Sequence, residues 1–287
     1  MGEGELSEVT KLSNAAFGAL FGQADESAEP IFNDLLFKVR YLSDPAGCLV
    51  AEVGEHDASI AGCLIACTRG SLGWFGPLAV LPEHQKSGVG AALVSACVEL
   101  WRARGVAMMG LETFADSRFH VGFYGKFGFH PSWTGLGFER ALSEGAMPND
   151  VDVNGTIPPL DFLYPGLNVS GEAEATLRTG SGVVVSSDGG LAIVHLEPTF
   201  QAKDAAYIPF AAASSAKAFD RLLSAAEHLA YERQLKQMVC RTSGSSWATH
   251  DALRARGYRT GSVMVRMKVG EALDYDLGER YYLDNWL

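Results

Sequence analysis

The stretch LAVLPEHQKSGVGAALVSACVELW, residues 78–101, decides how this chain is read. An apolar run reaches Pro82, a short polar loop carries Gln85-Lys86-Ser87-Gly88-Val89-Gly90, and a helical pattern begins at once. Leu93, Cys97, Leu100 and Trp101 recur at helical spacing, with Arg102 and Arg104 in the last turn and Gly105 just beyond. The first N–H groups of a helix lack intrahelical partners and carry the positive end of the macrodipole. Glycines at such a start let the backbone come close to a phosphate, so the loop predicts an anion site suited to a pyrophosphate. Two other phosphate loops do not fit: Leu93 stands where a dinucleotide fingerprint needs its third glycine, and no G-K-[ST] ending is present.

Working outward, residues 47–70 read as two strands joined at the polar Gly54–Ser59 stretch, and 72–82 as a further strand. Downstream, 106–114 reads as a buried strand. Asp116 or Ser117 can cap a short helix that carries Phe119, Phe123 and Phe127 before Gly128 ends it. Prolines and glycines crowd residues 142–171, which predicts a connection at 148–170 between a first unit, 1–147, and a second, 171–287. The second unit repeats the first. A hairpin at 181–197, an apolar run at 205–213, a helix through Phe219, Leu222, Leu223, Ala226, Leu229 and Ala230, and a strand at 236–242 lead to a short helix and a last strand at 261–269. The expected class is α+β, with a mixed sheet flanked by helices in each of two tandem units.

The chain has 287 residues, 47% of them apolar, enough for a full core. Its formal charge is -11, and the first 150 residues, with 10 basic against 18 acidic side chains, carry most of it. That balance argues against a nucleic-acid surface and favours a cationic small molecule. No run approaches the length of a membrane helix and the acidic start lacks a signal-peptide pattern, so the cytoplasm is the expected compartment. The five cysteines, Cys48, Cys63, Cys67, Cys97 and Cys240, form no C-x-x-C and read as small core residues. His56, His84, His120, His130, His195, His228 and His250 show no metal-ligand spacing, so no metal is expected.

Gln85, Gly88 and Gly90 match [Q/R]-x-x-G-x-[G/A], and residues 123–129, FYGKFGF, match an F/L-Y-x-x-x-G-F element three dozen residues on. With these two motifs in this order, residues 11–140 resemble the GNAT-type acetyltransferases, which use acetyl-coenzyme A. The resemblance implies a parallel strand pair that splays to admit the pantetheine arm. Leu78, Ala79 and Val80 would offer backbone groups to that arm, Gln85, Lys86, Ser87, Gly88, Val89, Gly90 and Ala91 would cradle the phosphates, and Ser117 would stand where many relatives have asparagine. Tyr124 would protonate the departing thiolate. For the general base, Glu112 is the best-placed carboxylate, with Glu83, His84, His120 or a water relay as alternatives. The family's first strand is not evident. In the second unit, ASSAKAF precedes the helix without either glycine and Leu253 replaces the tyrosine, so that unit is expected to be silent, covering the acceptor cleft or the sheet edge left by the missing strand. The implied activity is transfer of acetyl to a primary amine of a small, cationic acceptor, with no nucleic-acid or membrane partner. A non-catalytic acetyl-coenzyme A sensor or scaffold is the alternative, and the oligomeric state stays open between monomer and homodimer.

Overall fold

The computed structural model describes residues 1–22, 30–54, 58–197, 204–270 and 280–285. Two helices, α1 (Leu6–Leu20) and α2 (Asp34–Ser43), precede the strands β1 (Cys48–Val53), β2 (Ser59–Arg69) and β3 (Leu72–Val80). Residues 55–57 of the first turn lie outside the described residues. Then come α3 (Val89–Ala103), β4 (Met108–Thr113), α4 (Arg118–Gly125) and β5 (His130–Ala141). The connection and the second unit follow with β6 (Val151–Val153), α5 (Ser170–Thr179), β7 (Gly182–Ser187), β8 (Gly190–His195), β9 (Ala205–Ala213), α6 (Ala216–Glu232), β10 (Gln237–Ser243), α7 (Trp247–Ala255), β11 (Arg259–Gly270) and β12 (Tyr281–Asp284).

All the strands join one sheet in the order β1-β2-β3-β4-β11-β5-β10-β9-β8-β7-β6, with β12 on β9. The two units exchange their long terminal strands. β11 pairs antiparallel with β4 of the first unit and with β5, while β5 pairs antiparallel with β10 of the second. Division of the chain is therefore not division in space, and neither unit's sheet is complete without the other. The segment 148–170 supplies β6 and buries Leu160, Leu163, Tyr164, Leu167 and Val169 against Trp74, Met108 and Phe210, so it packs as core between the units. At the opposite end the edge strand is β1, and the second unit does not cover it. Among the described residues no strand lies outside β1.

Alternation along β2 and β3 sorts the helices onto two faces. Cys63, Ile65 and Ala79 face α1 and α2 in one cluster, while Leu64, Ala66, Phe75 and Leu111 face α3 and α4 in another. All five cysteines are buried and free, and burial pushes the Cys63 thiol up to about 11. Ion pairs with little or no solvent contact cross the unit boundary: Arg69 and Arg40 reach Glu172 at 2.6 and 3.2 Å, and the Arg69 guanidinium lies 3.7 Å from the Trp74 ring centre.

Candidate active site

The site grows from a break in one strand pair. β3 and β4 run parallel and pair from Leu72–Met108 to Phe75–Leu111, and no further. Opposite β2, the register passes from Leu64–Leu78 to Ala66–Phe75, so Gly76 and Pro77 together face Ile65 alone. A bulge bends the strand, and proline has no N–H to offer β4. Beyond it Leu78–Val80 follow β2 while Glu112 and Thr113 stay paired with Arg266 and Val265 of β11 on the other edge of β4, leaving a wedge between β3 and β4. Leu81 N–H donates to the Ala61 carbonyl at 3.0 Å, and by alternation the backbone groups of Ala79 also point to β2. Leu78 and Val80, and not Ala79, therefore present N–H and C=O groups to the wedge, which corrects the expectation for Ala79.

Beside the wedge lies the start of α3. Gly88 caps it with φ +96°, and a Cβ built there would meet nothing within 4 Å, so the residue borders open space in a conformation L residues rarely adopt. The first intrahelical bond runs from Ala92 N–H to the Gly88 carbonyl, so the N–H groups of Val89, Gly90 and Ala91 precede the ladder. Gln85, Lys86 and Ser87 are exposed. The Gln85 amide folds back to the Val80 carbonyl at 3.2 Å, and Ser87 Oγ donates to the His84 carbonyl at 2.5 Å, two clips that shape the loop. Open space, unpaired N–H groups and the dipole together fit a phosphate-bearing ligand.

Tyr124 lies on α4, buried, its ring 5.7 Å from that of Phe75, the last β3 residue paired with β4. Burial raises its phenol well above the ordinary tyrosine value, so it keeps its proton at neutral pH. Ser117 caps α4, and its Oγ lies 2.6 Å from His120 Nδ1. His120 is half-buried, which lowers its pKa from the ordinary imidazole value and leaves the ring neutral at pH 7.

Glu112 is elsewhere engaged. Its Oε1 accepts from Arg266 Nε at 2.8 Å and its Oε2 from Arg241 at 3.1 Å, while Arg266 also holds Asp284 at 2.8 Å. The Glu112 side chain has 0% exposure, and it faces away from Tyr124: Leu111, its neighbour in β4, shares the Tyr124 cluster. A Cβ on Gly135 of β5 would lie 2.6 Å from the carboxylate carbon, so the glycine leaves it room. With no solvent contact and both oxygens held by guanidinium groups, Glu112 does not reach an incoming amine. The expectation that it is the general base is corrected to a structural tie between the units.

The second unit shows the same wedge filled. β9 pairs with β10 only from Ala205 to Ile208, and Pro209 follows where Pro77 stands in β3. From Phe210 to Ala213, β9 pairs instead with β12, antiparallel, and Thr242 Oγ1 of β10 donates to the Tyr282 carbonyl at 2.9 Å. The chain's own terminal strand thus occupies the slot that would admit a pantetheine arm. A cleft of 470 Å³ remains outside it, lined by Ala216, Trp247, Ala248, Asp251, Ala252 and Tyr281. Sequence reading did not find β12. Its signals are the β-favouring run Tyr281-Tyr282-Leu283 and the proline at the centre of each third strand.

Among the described residues no cluster of three metal-ligating side chains occurs, and no helix is long and apolar enough to cross a membrane. A splayed parallel pair, a glycine-opened helix start and a buried tyrosine between them mark the protein as an acyltransferase. Residues 7–129 match the model of the acetyltransferase (GNAT) family. Three solved structures are similar over nearly the whole chain. A candidate acetyltransferase from Pyrococcus horikoshii covers 100% of this chain and 93% of its own, with 16% identity and TM-score 0.74. A GCN5-related N-acetyltransferase from Sphaerobacter thermophilus covers 95% and 96%, with 15% identity and TM-score 0.54. A tandem GNAT protein from the clavulanic acid biosynthesis pathway covers 93% and 95%, with 16% identity and TM-score 0.52. At these identities the likeness is one of fold. No curated protein matches the sequence.

Proposed function

We propose that the first unit, residues 1–147, is an N-acetyltransferase that moves the acetyl group of acetyl-coenzyme A to a primary amine. The second, residues 171–287, reached through 148–170, acts as a silent partner. The observation that carries this reading is the placement of Tyr124, buried and protonated, against the last paired residue of β3 where the wedge begins. The phosphates would lie on the N–H groups of Val89, Gly90 and Ala91, with Gly88 leaving their approach clear. Leu78 and the Val80 N–H would pair with the pantetheine amides as β9 pairs with β12 in the second unit, while the Val80 carbonyl is held by Gln85.

Attack requires a neutral amine. His120, one helical turn before Tyr124 and uncharged at neutral pH, takes the ammonium proton in this reading. The amine nitrogen then forms its bond to the thioester carbonyl carbon and the carbon–sulfur bond breaks. The thiolate leaves with the proton of the Tyr124 hydroxyl, the acylated nitrogen gives up its remaining excess proton to restore the phenol, and the proton held by His120 passes to solvent. The test is mass-spectrometric detection of acetylated product from acetyl-coenzyme A and a panel of amines, amino acids and peptides. Product mass raised by one acetyl group supports the proposal. Coenzyme binding with no acetylated product from any acceptor overturns it in favour of a sensor.

A further inference from the structure

The mouth of the wedge is built of aromatic rings. Phe21, at the end of α1, is 50% exposed, and Leu20 beside it is 49% exposed. The Phe21 ring meets Phe114 edge-on at 5.7 Å, and Phe114 follows directly on β4, at the tip where β3 and β4 have parted. From Phe114 the row continues to His120 at 5.7 Å, Phe119 at 5.3 Å, Phe123 at 6.3 Å and Tyr124 at 5.1 Å. A row of touching rings thus links Phe21 to the buried phenol, open to solvent at Phe21 and again at Phe119, which is 68% exposed.

Its two ends lie on opposite faces of the sheet. α3, whose start forms the phosphate loop, packs on the Leu64, Ala66 and Phe75 face, whereas α1 packs on the Cys63, Ile65 and Ala79 face. Phe21, at the end of α1, therefore stands across the sheet from the phosphate loop, so a coenzyme on that loop would leave this side of the wedge to a second substrate. An exposed phenylalanine without a ligand leaves apolar surface in water, and aromatic rings offer edge and face contacts to another ring. The row itself contains no carboxylate to hold a second ammonium. The nearest charges along the chain, Asp116 and Arg118, are exposed and opposite in sign.

We infer that the acceptor is an arylalkylamine, a primary amine on a short alkyl chain whose aromatic ring lodges against Phe21 and Phe114 while the amine reaches toward His120 and Tyr124. Such an amine is cationic in solution, in keeping with the acidic first half, but it is not a polyamine. This inference rests on the N-acetyltransferase reading and narrows its substrate.

The experiment compares kcat/KM for 2-phenylethylamine with that for linear diaminoalkanes of similar length, in the full-length wild type and in Phe21→Ala and Phe21→Trp. The aryl amine is expected to be the better substrate by about ten-fold or more. Phe21→Ala should raise its KM by about 3- to 10-fold, the size of one lost ring contact, with the diamine's KM unmoved, and Phe21→Trp should restore it. A diamine preferred over the aryl amine, or a Phe21→Ala effect equal for both, overturns the inference and leaves N-acetylation standing. No acetylated product from any amine overturns both.

Discussion

The Glu112–Arg266 tie separates two roles that a carboxylate near an active site can play. Glu112→Gln keeps the side chain's shape and one acceptor oxygen but removes the charge that faces Arg266, whose guanidinium has 0% exposure. Removing one partner of a buried ion pair costs about 3–5 kcal/mol where the other charge is left uncompensated. Here Arg266 keeps Asp284 at 2.8 Å and Arg241 is 17% exposed, so the loss should fall to about 2–3 kcal/mol. For a chain of this size that lowers the midpoint of thermal unfolding by roughly 5–10 °C. The assay pairs thermal unfolding, followed by circular dichroism, with thioester turnover per folded molecule at 20 °C. A lowered midpoint with turnover within about two-fold of wild type is the expected outcome, since Glu112 neither faces Tyr124 nor reaches solvent. An unchanged midpoint with turnover lowered a hundred-fold would refute the reasoning and return Glu112 to the role of base.

Gly90→Ala should leave stability intact, because its Cβ meets Phe123 and Val80 at an ordinary 3.6 Å, yet weaken acetyl-coenzyme A binding in calorimetry by about ten-fold; Gly88→Ala should also lose about 1–2 kcal/mol of stability at its positive φ. Unchanged affinity in both would remove the phosphate loop from the site. If His120 takes the amine's proton, kcat/KM should fall toward acid pH as the imidazole becomes protonated, and His120→Gln should be slower with that limb flattened; an unaltered acid limb assigns the proton elsewhere. Burial, aided by the Arg40 charge, depresses His195 to about 4 from its ordinary 6.5. The unfolded chain therefore binds a proton that the folded one excludes, so the stability this neutral histidine contributes is present above about pH 6.5 and is lost as pH falls toward 4, by at most about 3 kcal/mol. Urea unfolding of wild type against His195→Gln over that range should show a shallower decline in the variant.

What was legible in the sequence is what local rules govern. The loop from Gln85 to Gly90 and the helix after it follow from spacing, glycine and dipole, and the Ser117 cap of α4 follows from its hydroxyl. The repeat of hairpin, strand, helix and strand could be read twice because each element has its own period. The exchange of β5 and β11 could not, since nothing local chooses between two long strands offering similar edges, and the partner is set by how the two units pack. Glu112 was misread for the same reason: its partners Arg241 and Arg266 lie more than a hundred residues away. Pro77 and Pro209 were the overlooked local signal, as each stands where its strand begins to leave its parallel neighbour.

The central claim is that the phenol of Tyr124 protonates the departing thiolate in the first unit. Its most direct test is single-turnover release of free thiol from acetyl-coenzyme A in the presence of an acceptor amine, wild type against Tyr124→Phe, at concentrations that saturate both with coenzyme. The account predicts equal coenzyme affinity and a rate at least about ten-fold lower in the variant. Thiol release at the wild-type rate from Tyr124→Phe would contradict it.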